Sequence, residues 1–110
     1  MHKEYIGEVM EYGYEEKYDV FGIKIFEDYE YEVSIEARAG FIVDIDKDKR
    51  IVAIEIVDIS RELGVPKNLV RTARVDPKIQ CRGECCRITL DFYLATNKTK
   101  QIVQSLIIEE

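Results

Sequence analysis

The chain has 110 residues, 46% hydrophobic and 35% charged, with 16 Lys and Arg against 22 Asp and Glu for a net charge of −6. That length suits one domain with a core able to fold without staples, and the apolar content argues against a disordered chain. No apolar stretch approaches the ~20 residues of a bilayer span, and the acidic balance argues against non-specific nucleic-acid binding, which depends on phosphate neutralisation.

The segment Met1 to Glu8 lacks the apolar run of a signal peptide, so a cytoplasmic location is expected, with no membrane partner and no nucleic acid. Abundant Glu, Lys and Ile, with Asn only at Asn68 and Asn97, lean towards a thermophile, whose cytosol can keep disulfides. Charge is unevenly placed: residues 1–60 carry 7 basic and 16 acidic side chains, residues 61–110 carry 9 and 6. Arg61, Lys67, Arg71, Arg74, Lys78, Arg82 and Arg87 could therefore share a surface, either solvated or set against an acidic half.

Taken in chain order, Tyr5 to Tyr14 can form a first strand, interrupted by Gly and Glu. Phe21, Ile23 and Ile25 then share one face of a strand, and Tyr31, Val33 and Ile35 one face of the next. Glu30, Glu32, Ser34 and Glu36 lie opposite, giving a half-buried antiparallel pair with an acidic outer side. Gly40 marks the bend into Gly40–Ile45, and the turn Asp46 to Lys49 leads into Ile51–Val57. A four-residue loop there sets Val43 opposite Val52 and Phe41 opposite Ile54, leaving Ile42, Asp44, Ile51, Ala53 and Glu55 on the other face.

Residues 58–64 read as a short helix, with Asp58 or Ser60 accepting an orphan N–H and Gly64 at a left-handed C-terminal position. Pro66 stops it and opens a turn through Val70. A hairpin with Gly83 at its apex follows, then Cys86, Ile88, Leu90, Phe92 and Leu94 alternate with polar residues. Thr96 to Thr99 turns into a last strand, residues 101–108. The expected fold class is α+β, mainly β: a single domain of residues 1–110 holding a curved or split antiparallel sheet of about six to seven strands.

The ordered set Tyr18-Asp19-Val20-Phe21-Gly22-Ile23-Lys24-Ile25, Glu36, Gly40-Phe41-Ile42-Val43-Asp44-Ile45-Asp46 and Val52 to Ser60 resembles a small prokaryotic family, domain of unknown function 2283. The resemblance covers residues 17–63 and implies a compact β-rich domain without an established activity, some members of which look like partners of toxin-like neighbours. Ala53 and Lys49 depart from it, both standing where glycine is usual. Residues 66–110 then form a β-rich extension outside the resemblance.

Several groupings invite chemistry. Asp44, Asp46, Asp48, Ile51 and Glu55 match positions of an EF-hand loop, but Lys49 occupies the obligatory glycine position and the flanks read as strands. A looser cation site from Asp44, Asp46 and Asp48 competes with a solvated turn. Cys81, Cys85 and Cys86, with His2 as a distant fourth ligand, are poorly spaced for zinc; a Cys81–Cys85 disulfide and reduced, packed thiols are the alternatives. His2 is the only histidine, no glycine-rich phosphate loop is present, and Glu55 is an isolated carboxylate within an apolar strand. No enzyme and no cofactor are expected. Tyr12, Tyr14, Tyr29 and Tyr31, near Tyr18, can form an aromatic dimer surface or cover sheet faces with their hydroxyls in water. The expected function is a non-enzymatic interaction or structural module that self-associates as a homodimer. The alternatives are an antitoxin-like regulatory partner of a basic protein and, third, a metal-binding protein.

Overall fold

The structure, a computed structural model, describes the backbone of residues 2–6 and all of residues 11–109. Its first sheet-forming segments are β1 (His2–Ile6), β2 (Glu11–Glu15), β3 (Val20–Lys24), β4 (Tyr31–Arg38), β5 (Phe41–Asp46) and β6 (Ile51–Val57). Two short helices, α1 (Ile59–Leu63) and α2 (Lys67–Val70), lead to β7 (Arg74–Arg82), β8 (Cys85–Leu94) and β9 (Lys98–Ile107). The strands form two antiparallel sheets, a five-stranded one in the order β2-β3-β6-β5-β4 and a four-stranded one in the order β1-β7-β8-β9.

Period-two alternation positions the core between the sheets. Phe21 and Ile23 of β3, Val43 of β5, Ile54 and Ile56 of β6, and Ile88, Leu90 and Phe92 of β8 are all buried in one apolar cluster that spans both sheets. Phe21 meets Phe92 edge to face with ring centroids 5.3 Å apart, a direct contact between the sheets. Ile59 and Leu63 of α1 and Val70 of α2 join the same cluster. Pro77 sits in β7 just before the stretch Lys78–Arg82 that pairs with β1, so its missing N–H falls where, among the described residues, β7 pairs with β8 alone.

The mainly-β reading with a short helix near residues 58–64 is borne out, but the expected turn through Val70 is a second short helix, and nine strands are described where six or seven were expected. Much of the difference is at the start. His2–Ile6 pairs with β7 and Glu11–Glu15 with β3, so the expected single strand Tyr5–Tyr14 is two strands in different sheets; residues 7–10 lie outside the described residues.

The β5–β6 register also differs from the expected one. Val43 faces Ile54 and Phe41 faces Ile56, because Val52 is an extra residue between the pairs Ile45–Ile51 and Asp44–Ala53. That bulge carries Ile51 to the core side, where it is fully buried, rather than to the outer face. A second irregularity, between Tyr31 and Val33 in β4, breaks the expected shared face. Tyr31 turns towards Ser34, their hydroxyl oxygens 2.8 Å apart.

Helix α1 ends as expected on Gly64, with φ +66°. Its start does not: Asp58 lies in the left-handed region at φ +57° and makes no side-chain cap. The cap comes from a distant residue. The Asp19 carboxylate accepts the Ser60 N–H at 3.2 Å and the Ser60 hydroxyl at 2.6 Å, while the Asp19 carbonyl accepts the Ile59 N–H.

Candidate functional site

The aspartate turn is built around one buried carboxylate. Asp46, only 1% exposed, accepts the backbone N–H groups of Asp48 at 3.0 Å and Arg50 at 2.8 Å, and the Arg50 Nε at 2.8 Å. Burial pushes its pKa up, but these donors and the Arg50 charge outweigh that and hold it below the ordinary carboxylate value. Asp44 instead accepts the Ser34 hydroxyl at 2.6 Å, and Asp48 is exposed. In the observed register Asp44 lies opposite Ala53, two positions from Glu55 rather than the expected four. Even so, Asp44, Asp46 and Asp48 do not converge, and no cluster of metal-ligating side chains occurs among the described residues. Lys49 supplies the turn with φ +65°, a conformation that favours the glycine expected there.

The cysteines are placed by the hairpin between β7 and β8. Arg82 pairs with Cys85 across the Gly83-Glu84 loop, so Cys81 pairs with Cys86. Cys81 and Cys86 form a disulfide with Cα atoms 4.0 Å apart, and Cys85 points to the other face as an exposed free thiol. The expected alternative, Cys81–Cys85, is thus corrected by strand parity: residues offset by one position face opposite ways. The side chain of His2 lies outside the described residues.

The four tyrosines do not make one surface. Tyr12 and Tyr14 stand on β2 and stack on Phe21 at centroid distances of 5.9 and 6.4 Å, whereas Tyr31 belongs to β4, at the opposite edge of the same sheet. Tyr29 borders a shallow groove with Tyr12 and Tyr14, about 680 Å³ in volume and floored by Gly13, Gly22 and Ala53. The Tyr14 hydroxyl donates to Asp19 at 2.5 Å. Burial and that carboxylate raise the Tyr14 pKa strongly. Burial also opposes ionisation of Asp19, but its bonds from Ser60 and Tyr14 and the Lys67 charge leave its pKa lowered. Tyr14 is therefore a structural donor.

Two further features emerge, the first of which the sequence reading did not isolate. Apart from Tyr18, every exposed large hydrophobic side chain among the described residues stands on an edge strand: Tyr12 on β2, Tyr31 and Val33 on β4, Val103 and Ile107 on β9. For β9 a signal existed, since Ile102, Val103, Leu106 and Ile107 put apolar residues on both faces. The second feature is charge. Glu11, Glu15, Glu36, Asp44 and Glu55 project from the outer side of the five-stranded sheet beside a single lysine, Lys24, whereas Arg74, Lys78, Arg82 and Arg87 outnumber Asp76 and Asp91 on the four-stranded one. Arg71 does not join that basic set; its guanidinium pairs with Glu16 at 2.6 Å. An open groove of about 900 Å³ also lies at the disulfide end, bordered by Ile35, Ala37, Leu106 and Ile107.

No helix among the described residues is long and apolar enough to cross a membrane. The chain matches no protein-family model, no curated protein and no solved structure.

Proposed function

We propose that this protein is a cytoplasmic, non-enzymatic interaction module that self-associates through a sheet edge. The observation that carries this reading is the concentration of exposed Tyr12, Tyr31, Val33, Val103 and Ile107 on edge strands. Edge strands present unpaired backbone groups, and monomeric proteins usually guard them with charge, proline or irregularity rather than large apolar side chains. The resemblance of residues 17–63 to domain of unknown function 2283 is part of the proposal and fits a β-rich module without chemistry of its own. Multi-angle light scattering across a concentration series tests it. A mass rising to twice that of the chain is the expected result, and a monomer mass at every concentration would rule it out.

The acidic outer side of the five-stranded sheet favours a second reading, a regulatory partner that covers a basic protein. Its contact would weaken steeply with salt, since exposed charges are screened within ~10 Å at 0.1 M.

A further inference from the structure

We infer that the partner at the edge is a second copy of this chain, joined through antiparallel pairing of β9 with β9 to continue the four-stranded sheet across the dimer. This rests on the self-association reading and adds which edge, which occupant and which register.

The choice among edges follows from their protection. β4 carries two register irregularities, and the described part of β2 holds Gly13 between Glu11 and Glu15. β9 runs for ten residues with an unbroken register against β8, its charges confined to Lys98 and Lys100 at its start. Irregular or charged edges resist pairing, whereas a long regular edge invites it. Among the described residues the β9 backbone pairs with β8 alone.

Parity shows which groups are open. Ile108 donates its N–H to Glu84 at 2.8 Å, so even-numbered positions direct their backbone groups towards β8. The odd-numbered residues Thr99, Gln101, Val103, Ser105 and Ile107 therefore direct theirs to the free edge. Their side chains lie on the outer side of the sheet, where Val103 is 51% and Ile107 61% exposed.

The strand is complementary to its own reversed copy. Its start carries Lys98 and Lys100, its middle is apolar, and Glu109 follows its end. Antiparallel pairing about Val103 places Val103 on the partner's Val103, Gln101 beside the partner's Ser105 and Thr99 beside the partner's Ile107. Lys98 and Lys100 then stand opposite the partner's Ile108 and the partner's Leu106, so no like charges meet. A parallel arrangement would stack lysine on lysine. Cross-strand apolar pairs stabilise a ladder, and like charges oppose it.

Cysteine cross-linking tests the register. In a Cys85→Ser background, Val103→Cys would face itself at roughly 5.5 Å between Cα atoms, within disulfide reach. Mild oxidation is expected to convert this variant to a covalent dimer, with Val33→Cys and Tyr12→Cys remaining uncoupled. Val103→Lys, at a position 51% exposed, is expected to raise the dimer dissociation constant about tenfold or more while leaving the denaturant midpoint of the monomer near that of the parent. A light-scattering dimer that cross-links through Val33→Cys or Tyr12→Cys but not Val103→Cys overturns the β9 assignment and leaves self-association standing. A strictly monomeric parent protein overturns both.

Discussion

At the scale of single residues, Asp19 does most to join distant parts of the chain. It sits in the left-handed region at φ +55°, is 7% exposed, and offers its carboxylate to Tyr14 and Ser60 at once. Nothing in the run Tyr18-Asp19-Val20 reveals this, because its partners lie 5 and 41 positions away. Asp58 and Ser60 were the local candidates for the cap, and a tertiary contact displaced both. Replacing Asp19 with Ala should cost about 2–3 kcal/mol, through loss of the helix cap and exposure of unpaired donors. Urea denaturation measures it, and an unchanged midpoint would remove Asp19 from this role. Since the folded pKa values of Asp19 and Asp46 are lowered, their contribution is present above the unfolded value near ~3.9 and disappears as pH falls through the folded values. Acid unfolding should therefore be blunted in Asp19→Ala relative to the parent.

At the scale of elements, hairpin parity decides which side chains meet. The Gly83 turn was legible, and its loop length pairs Cys81 with Cys86 while sending Cys85 outward. The bulge at Val52 was not legible, because both Ile51 and Val52 are β-branched and either register keeps an apolar row. Arg50 and the buried Asp46 carboxylate select the observed turn. Arg38 joins three elements in a similar way, donating to Glu62 of α1 at 2.8 Å and to Gln104 of β9 at 2.8 Å. The disulfide closes a short loop, so reduction should lower stability by no more than about 2 kcal/mol. Denaturant midpoints with and without reductant check this; a loss several times larger would mean the disulfide organises more than its own hairpin. Because β9 pairs about Val103, away from the bridge, reduction should leave the dimer mass unchanged.

For the whole molecule, the contact of Phe21 with Phe92 joins the two sheets, one of which pairs the start of the chain with its last three strands. Phe92→Ala should cost about 3–5 kcal/mol and weaken both sheets together. Amide hydrogen exchange tests this: protection should fall in β6 as well as β8, and a loss confined to the four-stranded sheet would make the sheets independent units. Alternation in Val20–Lys24 and Cys85–Leu94, the glycines at 40, 64 and 83, and the stop at Pro66 were readable directly, since each reflects a local steric or period-two constraint. Which strands lie at edges was not readable, because strand order depends on long-range pairing that every apolar run could satisfy in several ways. So the mainly-β class, most turns and the opposed charges of the two halves were already settled in the order of residues. The division into two sheets, the Asp19 cap, the cysteine pairing and the exposed β9 edge came from packing, where burial chooses among locally equivalent arrangements.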